Sequence, residues 1–199
     1  GAALWPDQHG AARVESGVAI ITQSSNIAIN LTMQTRGLPI AMVLTAGNQA
    51  QLGLSDLGAA IIEDERITAL GLHIEGLDHV AAFEQLAFKA RELGKPIVAI
   101  KVGRSEQAQA ATITHTASLA GSDAAHDALF TRLGIARVDE LETFLETLKL
   151  LHVHGPLPGG EVLSLSCSGG EASLMADTAL PTRLNWRPFA HDEAKALRG

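Results

Sequence analysis

The sequence contains no tyrosine, two tryptophans, five phenylalanines and one cysteine. So few aromatic rings leave little to stack on a flavin or on nucleic-acid bases. With Cys167 alone, an internal disulfide and a cysteine zinc cluster are both excluded, which fits a cytoplasmic location. Positive charge is scarce too. Lys and Arg number 15 against 22 Asp and Glu, and the net charge of −7 speaks against a nucleic-acid surface or a polybasic membrane patch. No apolar run approaches the roughly 20 residues of a membrane span. Residues 1–10 lack the basic and then apolar order of a signal peptide. The chain begins without methionine and stops in a polar, helix-like run, DEAKALRG, so the expectation is a piece of a longer polypeptide.

What the chain does have is a core. Apolar residues make up 46% and charged residues 19%, and 199 residues suffice for one ordinary domain and part of another. Residues 1–16 show no periodicity and read as an irregular lead-in. GVAIIT (17–22) is a continuous apolar run of the kind that forms a strand buried on both faces. Ser24, Ser25 and Asn26 are helix N-cap residues, and IAINLTMQTRG (27–37) has helical spacing with Gly37 as a stop signal. The rhythm then repeats. PIAMVLT (39–45) is a strand, and Ser55 caps the helix LGAAIIEDE. ITALGLHIE (67–75) is a strand and AAFEQLAFKARELG (81–94) a helix, with Ala82, Leu86 and Ala90 on one face, Phe83 and Ala87 beside them, and Gly94 closing it. KPIVAIKVG (95–103) is a strand, 123–133 a helix, GIARV (134–138) a short strand and 139–152 a helix. Strands alternating with helices predict an α/β fold, a doubly wound parallel sheet. HGPLPGG (154–160) reads as a linker. EVLSLSC (161–167) and GGEASLMADTA (169–179) then open a second strand–helix unit that 161–199 cannot complete. The main domain is therefore expected over 17–153.

In such sheets ligands bind at the carboxyl ends of the strands. Two turns there are alike: TQSSNIAIN and SCSGGEASL each lead small polar residues straight into a helix, whose free N–H groups and dipole attract phosphate. Ordinary N-capping accounts for either turn by itself. A connection of about twenty residues, GRSEQAQAATITHTASLAGS (103–122), exceeds typical lengths and carries His115 among small neighbours. A neutral imidazole can attack a phosphoryl or acyl group near pH 7, although a lone loop histidine is more often a solvated or capping residue. Glu75, at the end of the third strand, is placed either to orient an imidazole or to serve as a helix-approach carboxylate. His152 and His154 suit a helix C-terminus, and their spacing gives no metal site. His73 is expected in or beside the third strand and His126 on a helix, neither with an assignable partner. No Walker loop, Gly-x-Gly-x-x-Gly fingerprint or Gly-x-Ser-x-Gly elbow occurs.

Six segments, in the same order along the chain, resemble one family. THTASLAGSD (114–123) is similar to the histidine loop of the NDP-forming acyl-CoA synthetases, relatives of succinyl-CoA synthetase, commonly SHTGALAGSD. TQSSNIAIN (22–30) resembles their SQSG-type first turn. TAGNQAQLGLSDL (45–57) resembles their glycine-asparagine loop, and HIEGLD (73–78) their glutamate motif. SCSGGEASLMAD (166–177) resembles the opening turn of the next ligase domain, and IVAIKVGRS (97–105) the strand before the histidine loop. The resemblance spans nearly all of 17–180 and implies a flavodoxin-like ligase domain. It also implies an acid–thiol ligase that interconverts acyl-CoA, phosphate and NDP with acid, CoA and NTP through a phosphohistidine. By motif position His115 is then the phosphocarrier and Glu75 holds the other imidazole nitrogen. Thr22, Ser24 and Ser25 on one side, and Ser168, Gly169 and Gly170 on the other, bind phosphoryl oxygens. Ala117 and Ser25 depart from the family pattern, each standing where glycine is usual. The resemblance implies no tightly bound cofactor and no metal on this chain. CoA, phosphate, ADP or ATP and a small carboxylic acid are substrates, and magnesium belongs to the missing parts. The partners implied are a CoA-binding domain and an ATP-grasp domain or subunit, in an oligomer, with no nucleic acid and no membrane. The fragment alone is then inactive. The rival readings are a regulatory scaffold, for example of a protein acyltransferase that senses acyl-CoA or nucleotide, and a plain flavodoxin-like binding module.

Overall fold

The structure, a computed structural model, describes residues 9–105, 108 and 122–196. It divides into two compact units, with the boundary between Pro156 and Leu157.

In the first unit the chain runs β1 (Gly17–Thr22), α1 (Ser25–Thr32), β2 (Ile40–Thr45), α2 (Leu54–Ile61), β3 (Ile67–Ile74), α3 (Val80–Glu92) and β4 (Ile97–Lys101), then α4 (Asp123–Leu133), β5 (Ala136–Val138) and α5 (Leu141–His154). All strand pairs are parallel, in the order β2-β1-β3-β4-β5. Successive strands on either side of β1 cross over in opposite senses, so β1 and β3 form the topological switch point of a flavodoxin-like sheet. β1 is buried along its whole length, as its unbroken apolar run predicts.

Alternate residues of each strand feed two separate cores. Ala19, Ile21, Leu70, Leu72, Ile74 and Ala99 pack beneath Leu54, Phe83, Leu86 and Phe130 of α2, α3 and α4. Val18, Ile20, Ala69, Val98 and Ile100 pack beneath Leu31 of α1 and Phe144, Leu145 and Leu148 of α5. Gly71 sits under that second layer, where a Cβ would lie 2.6 Å from Phe144 and 2.7 Å from Leu148.

Several boundaries differ from the sequence expectation for local reasons. α1 ends at Thr32, well before Gly37. The Gln34 carboxamide accepts from Arg36 N at 2.6 Å and donates to Leu38 O at 2.9 Å, closing a turn where helix was expected. α2 starts one residue before Ser55, and its N-cap is Gly53, whose N–H donates to Asp56 at 3.1 Å. Ser55 instead bonds Asp78 through both its N–H (3.1 Å) and its hydroxyl (2.6 Å). A Cβ on Gly53 would overlap that Asp78 carboxylate. The buried face of α3 is Phe83, Leu86, Ala87 and Ala90, with Ala82 at its margin. β5 is shorter than expected because Gly134, at φ 70°, caps α4 and Ile135 N bonds back to Phe130 O at 2.9 Å. α5 begins at Leu141 and reaches His154.

The second unit holds β6 (Glu161–Val162) and β7 (Asn185–Trp186), paired in parallel, with α6 (Gly169–Ala179) and α7 (His191–Ala196). The expected strand over 161–167 is confined to its first two residues. Leu165, Leu174 and Leu180 are each more than half exposed. Among the described residues no helix is long and apolar enough to cross a membrane.

Candidate functional site

The carboxyl ends of β1, β3 and β4 bring a set of polar side chains to the switch point. Register sets Thr22 of β1 beside His73 of β3, and Ile74 beside Lys101 of β4. In strands this apolar, a polar residue at the last position is a departure that needs a partner.

Thr22 is fully buried. Its Oγ1 lies 3.1 Å from His73 Nδ1, accepts from Ser24 N at 3.0 Å and lies 3.3 Å from Ser24 O. The hydroxyl thus ties the β1–α1 turn to β3 and is committed within the protein. Ser24 is the N-cap of α1, its Oγ accepting from Ile27 N at 3.4 Å. Ser25 and Asn26 open the helix exposed, and no acceptor among the described residues serves their N–H groups.

Gln23 crosses from the same turn to the end of β3, where its Oε1 accepts from Glu75 N at 2.5 Å and from Gly76 N at 3.0 Å. The Glu75 main chain is held from the other side by Lys101, whose Nζ donates to Glu75 O at 2.9 Å and also to Val102 O. The Glu75 side chain is half-buried, and among the described residues its carboxylate accepts no hydrogen bond. The next loop is anchored here as well. Gln49, at φ 58°, donates to Gly76 O at 3.1 Å and accepts from Leu54 N at 2.9 Å. The backbone of Glu75 is therefore fixed while its carboxylate stays available.

Burial governs the protonation of this cluster. Desolvation lowers the pKa of His73, and the nearby Lys101 ammonium lowers it further against one opposing backbone hydrogen bond. Desolvation also pulls Lys101 below the usual lysine value, while Asp123 and Glu75 act against it. His126 on α4 is lowered chiefly by burial, its Nδ1 3.0 Å from Ser122 O. Ser122 caps α4 through its Oγ, and Arg137 holds the first turn at Asp123 (2.6 Å) and Asp127 (3.3 Å).

Between the starts of α3 and α4 an open apolar groove of about 570 Å³ is lined by Leu77, Val80, Leu129 and His126. Its imidazole is the part of this lining with acid–base chemistry, and the switch-point residues are not part of it.

His115 lies outside the described residues, as does Ala117. Of the remaining sequence candidates, Thr22 ends β1, Ser24 and Ser25 follow it, and Glu75 follows the adjacent β3. Ser168, Gly169 and Gly170 belong to the second unit. There Ser168 caps α6, accepting from Glu171 N at 3.2 Å, while the Glu171 carboxylate accepts from Cys167 N at 2.9 Å and Ser168 N at 3.2 Å. Gly169 and Gly170 open the helix exposed to solvent. Sequence reasoning missed Gln23, His73 and Lys101 as parts of the site. The signal for Lys101 was a single cation ending an apolar strand, and for His73 its position one residue from the end of β3. Among the described residues no cluster of His, Cys, Asp or Glu gathers as metal ligands.

Comparison with known proteins gives a consistent picture. The model of the succinyl-CoA ligase-like flavodoxin domain matches residues 15–151. A trans-feruloyl-CoA synthase from an unknown prokaryotic organism is 31% identical over 91% of this chain and 26% of its own length. The alpha subunit of ADP-forming acetate–CoA ligase I from Pyrococcus furiosus is 32% identical over 81% of this chain and 35% of its own. Among solved structures, a dinucleotide-forming acetyl-coenzyme A synthetase 1 from Ca. Korarchaeum cryptofilum, in complex with phosphate and ADP, superimposes with a TM-score of 0.76. It is 27% identical, over 85% of this chain and 37% of that one. The chain thus spans between about a quarter and two fifths of the length of these relatives.

Proposed function

The chain belongs to the succinyl-CoA ligase-like flavodoxin domain family, and from that premise we propose that it is the phosphoryl-handling domain of an NDP-forming acyl-CoA synthetase. The observation that carries the reading is the switch-point cluster: a capped helix with free N–H groups, and beside it a Glu75 backbone fixed by Gln23 and Lys101 with an unengaged carboxylate. These stand at the end of β1 and β3, and β4 beside them leads in sequence into the segment that carries His115.

In this reading inorganic phosphate attacks the thioester carbonyl of an acyl-CoA, the C–S bond breaks, and CoA leaves as thiolate and takes a proton. The acyl phosphate then gives its phosphoryl group to one imidazole nitrogen of His115, and the carboxylic acid departs as carboxylate. ADP accepts the phosphoryl group from His115, giving ATP and restoring the neutral ring. Glu75 accepts a hydrogen bond from the other ring nitrogen, which fixes the tautomer and stabilises the cationic phosphoimidazole. The α1 N-terminus, through Ser24 and Ser25, offers N–H donors and the positive end of a dipole to the phosphoryl oxygens. Thr22 acts from beneath by holding the turn in shape. Ser168, Gly169 and Gly170 at the start of α6 offer donors of the same kind. CoA and the nucleotide, with its magnesium, are assigned to a CoA-binding domain and to an ATP-grasp domain or subunit. The chain by itself then catalyses no complete turnover, and the assembly works in the cytoplasm.

The test is ATP formation from acyl-CoA, phosphate and ADP by the intact parent enzyme. His115→Ala is expected to abolish it with an unchanged unfolding midpoint, and Glu75→Ala to lower kcat by about 10²-fold or more. ATP formation at the normal rate by the His115 variant contradicts the proposal.

A further inference from the structure

One buried polar atom in this region has no partner. Gln23 is 7% exposed, and its Nε2 makes no hydrogen bond. The carboxamide is not reversed: two backbone N–H donors, from Glu75 and Gly76, converge on the other end, which must therefore be oxygen. Amide geometry places Nε2 about 2.2 Å from that oxygen, so it too lies at the carboxyl edge of β1 and β3. The carbonyls of the adjoining turns each already accept a hydrogen bond from elsewhere. Thr22 O accepts from Ala46 N, Ser24 O from Ala28 N and Ile74 O from Val102 N. Glu75 O accepts from Lys101 and Gly76 O from Gln49. An unpaired buried donor is costly, so a bound water, ion or ligand oxygen is needed to satisfy it.

We propose that Gln23 is an oxyanion-binding residue of this site, with Oε1 clamping the Glu75 turn and Nε2 donating to an oxygen of a phosphate or phosphoryl group bound before α1. The inference rests on the phosphoryl-handling reading above and adds a residue to it. The electrostatics favour an anion there. The α1 dipole presents its positive end, Ser25 and Asn26 have unserved N–H groups, and the Lys101 ammonium is bonded to the carbonyl of Glu75. The same carboxamide couples the two roles: an oxygen bound at Nε2 is registered against the Glu75 backbone, because one planar group bonds both.

Two variants of the intact parent enzyme separate the ends of the carboxamide. Gln23→Glu keeps an oxygen for the Glu75 and Gly76 N–H groups and removes the donor. Gln23→Met removes both without adding charge. Steady-state kinetics with acyl-CoA, ADP and varied inorganic phosphate, and equilibrium dialysis with labelled orthophosphate, are the readouts. Both variants are expected to raise the KM and Kd for phosphate about tenfold or more, the scale of one hydrogen bond to an anion. The KM for ADP should stay within about twofold, and only Gln23→Met should also lose kcat and thermal stability. A normal phosphate KM in Gln23→Met overturns the inference, and Nε2 is then satisfied by a buried water alone. An effect confined to Gln23→Glu overturns it too, since added charge accounts for that. Labelling of His115 by ATP in the same wild-type preparation tells the two failures apart: label with unaltered phosphate binding in the variants sinks only the role of Gln23, whereas absence of label sinks the functional reading.

Discussion

Replacing Thr22 by valine removes one hydroxyl and keeps the shape of a β-branched residue on a fully buried strand end. The structure dictates what is lost. His73 Nδ1, 3.1 Å away on a side chain only 4% exposed, loses its side-chain partner. An orphaned buried polar group costs roughly 1–3 kcal/mol. The Ser24 N–H, now 3.0 Å from the hydroxyl, lies in a half-buried turn and can turn to water, so its loss adds about 0.5–1.5 kcal/mol. Together Thr22→Val should destabilise the domain by about 2–4 kcal/mol, a large share of the ~5–15 kcal/mol that holds most domains folded. Urea unfolding with an unchanged m-value measures it directly. Thr22→Ser keeps the hydroxyl and should recover most of the loss. The turn that presents Ser24 and Ser25 should loosen as well, so amide exchange of the first turn of α1 should speed up in the valine variant alone. A valine variant within about 0.5 kcal/mol of wild type, with α1 exchange unchanged, refutes the reasoning, because Thr22 would then be a replaceable core residue.

Other features give equally specific expectations. Gly71→Ala pushes a methyl against Phe144 and Leu148, both fully buried, and should cost about 1–3 kcal/mol; a double-mutant cycle with Phe144→Leu should show coupling above ~0.5 kcal/mol, and strict additivity counts against the packing account. Ser55→Ala removes the 2.6 Å hydroxyl bond to Asp78 and should destabilise by about 1.5–3 kcal/mol by urea unfolding; no change would mean that the remaining Ser55 N–H bond suffices to hold Asp78. Stability should fall with acid. Burial sets the folded pKa of His73 and His126 below 6.5, so as pH drops the unfolded chain takes up protons first, and stability present above about pH 6.5 is lost progressively below it. His126→Gln should flatten the decline between about pH 7 and 5.5, and an unchanged slope there argues against a neutral buried imidazole.

The architecture was legible in the sequence because each strand is an apolar run and each helix has an amphipathic face. GVAIIT reads as a doubly buried strand and is one, and α3 ends just before Gly94 as expected. What was misplaced depends on side chains that bond their own turns. Gln34 closes the chain after α1, and Asp78 draws Ser55 away from the cap position, both through contacts that no periodicity records. The site shows the same division. Ser24 and Glu75 were singled out from cap chemistry and position at a strand end, which are local properties, and Thr22 from the resemblance. Gln23, His73 and Lys101 escaped because their roles come from register: Thr22 meets His73 only once β1 lies beside β3, and Lys101 reaches Glu75 only from β4. His115 was singled out by its small neighbours in a long loop and by its motif, and its role as phosphocarrier comes from the resemblance.

That role admits one direct measurement. The intact parent enzyme, with its ATP-grasp partner if that is a separate subunit, is incubated with magnesium and gamma-labelled ATP, and acid-labile, base-stable label is mapped by mass spectrometry. The account predicts label on His115 that disappears when CoA and a carboxylic acid are added. No label on His115, in a preparation shown to bind ATP, contradicts it and turns the chain into a regulatory scaffold built on a ligase fold.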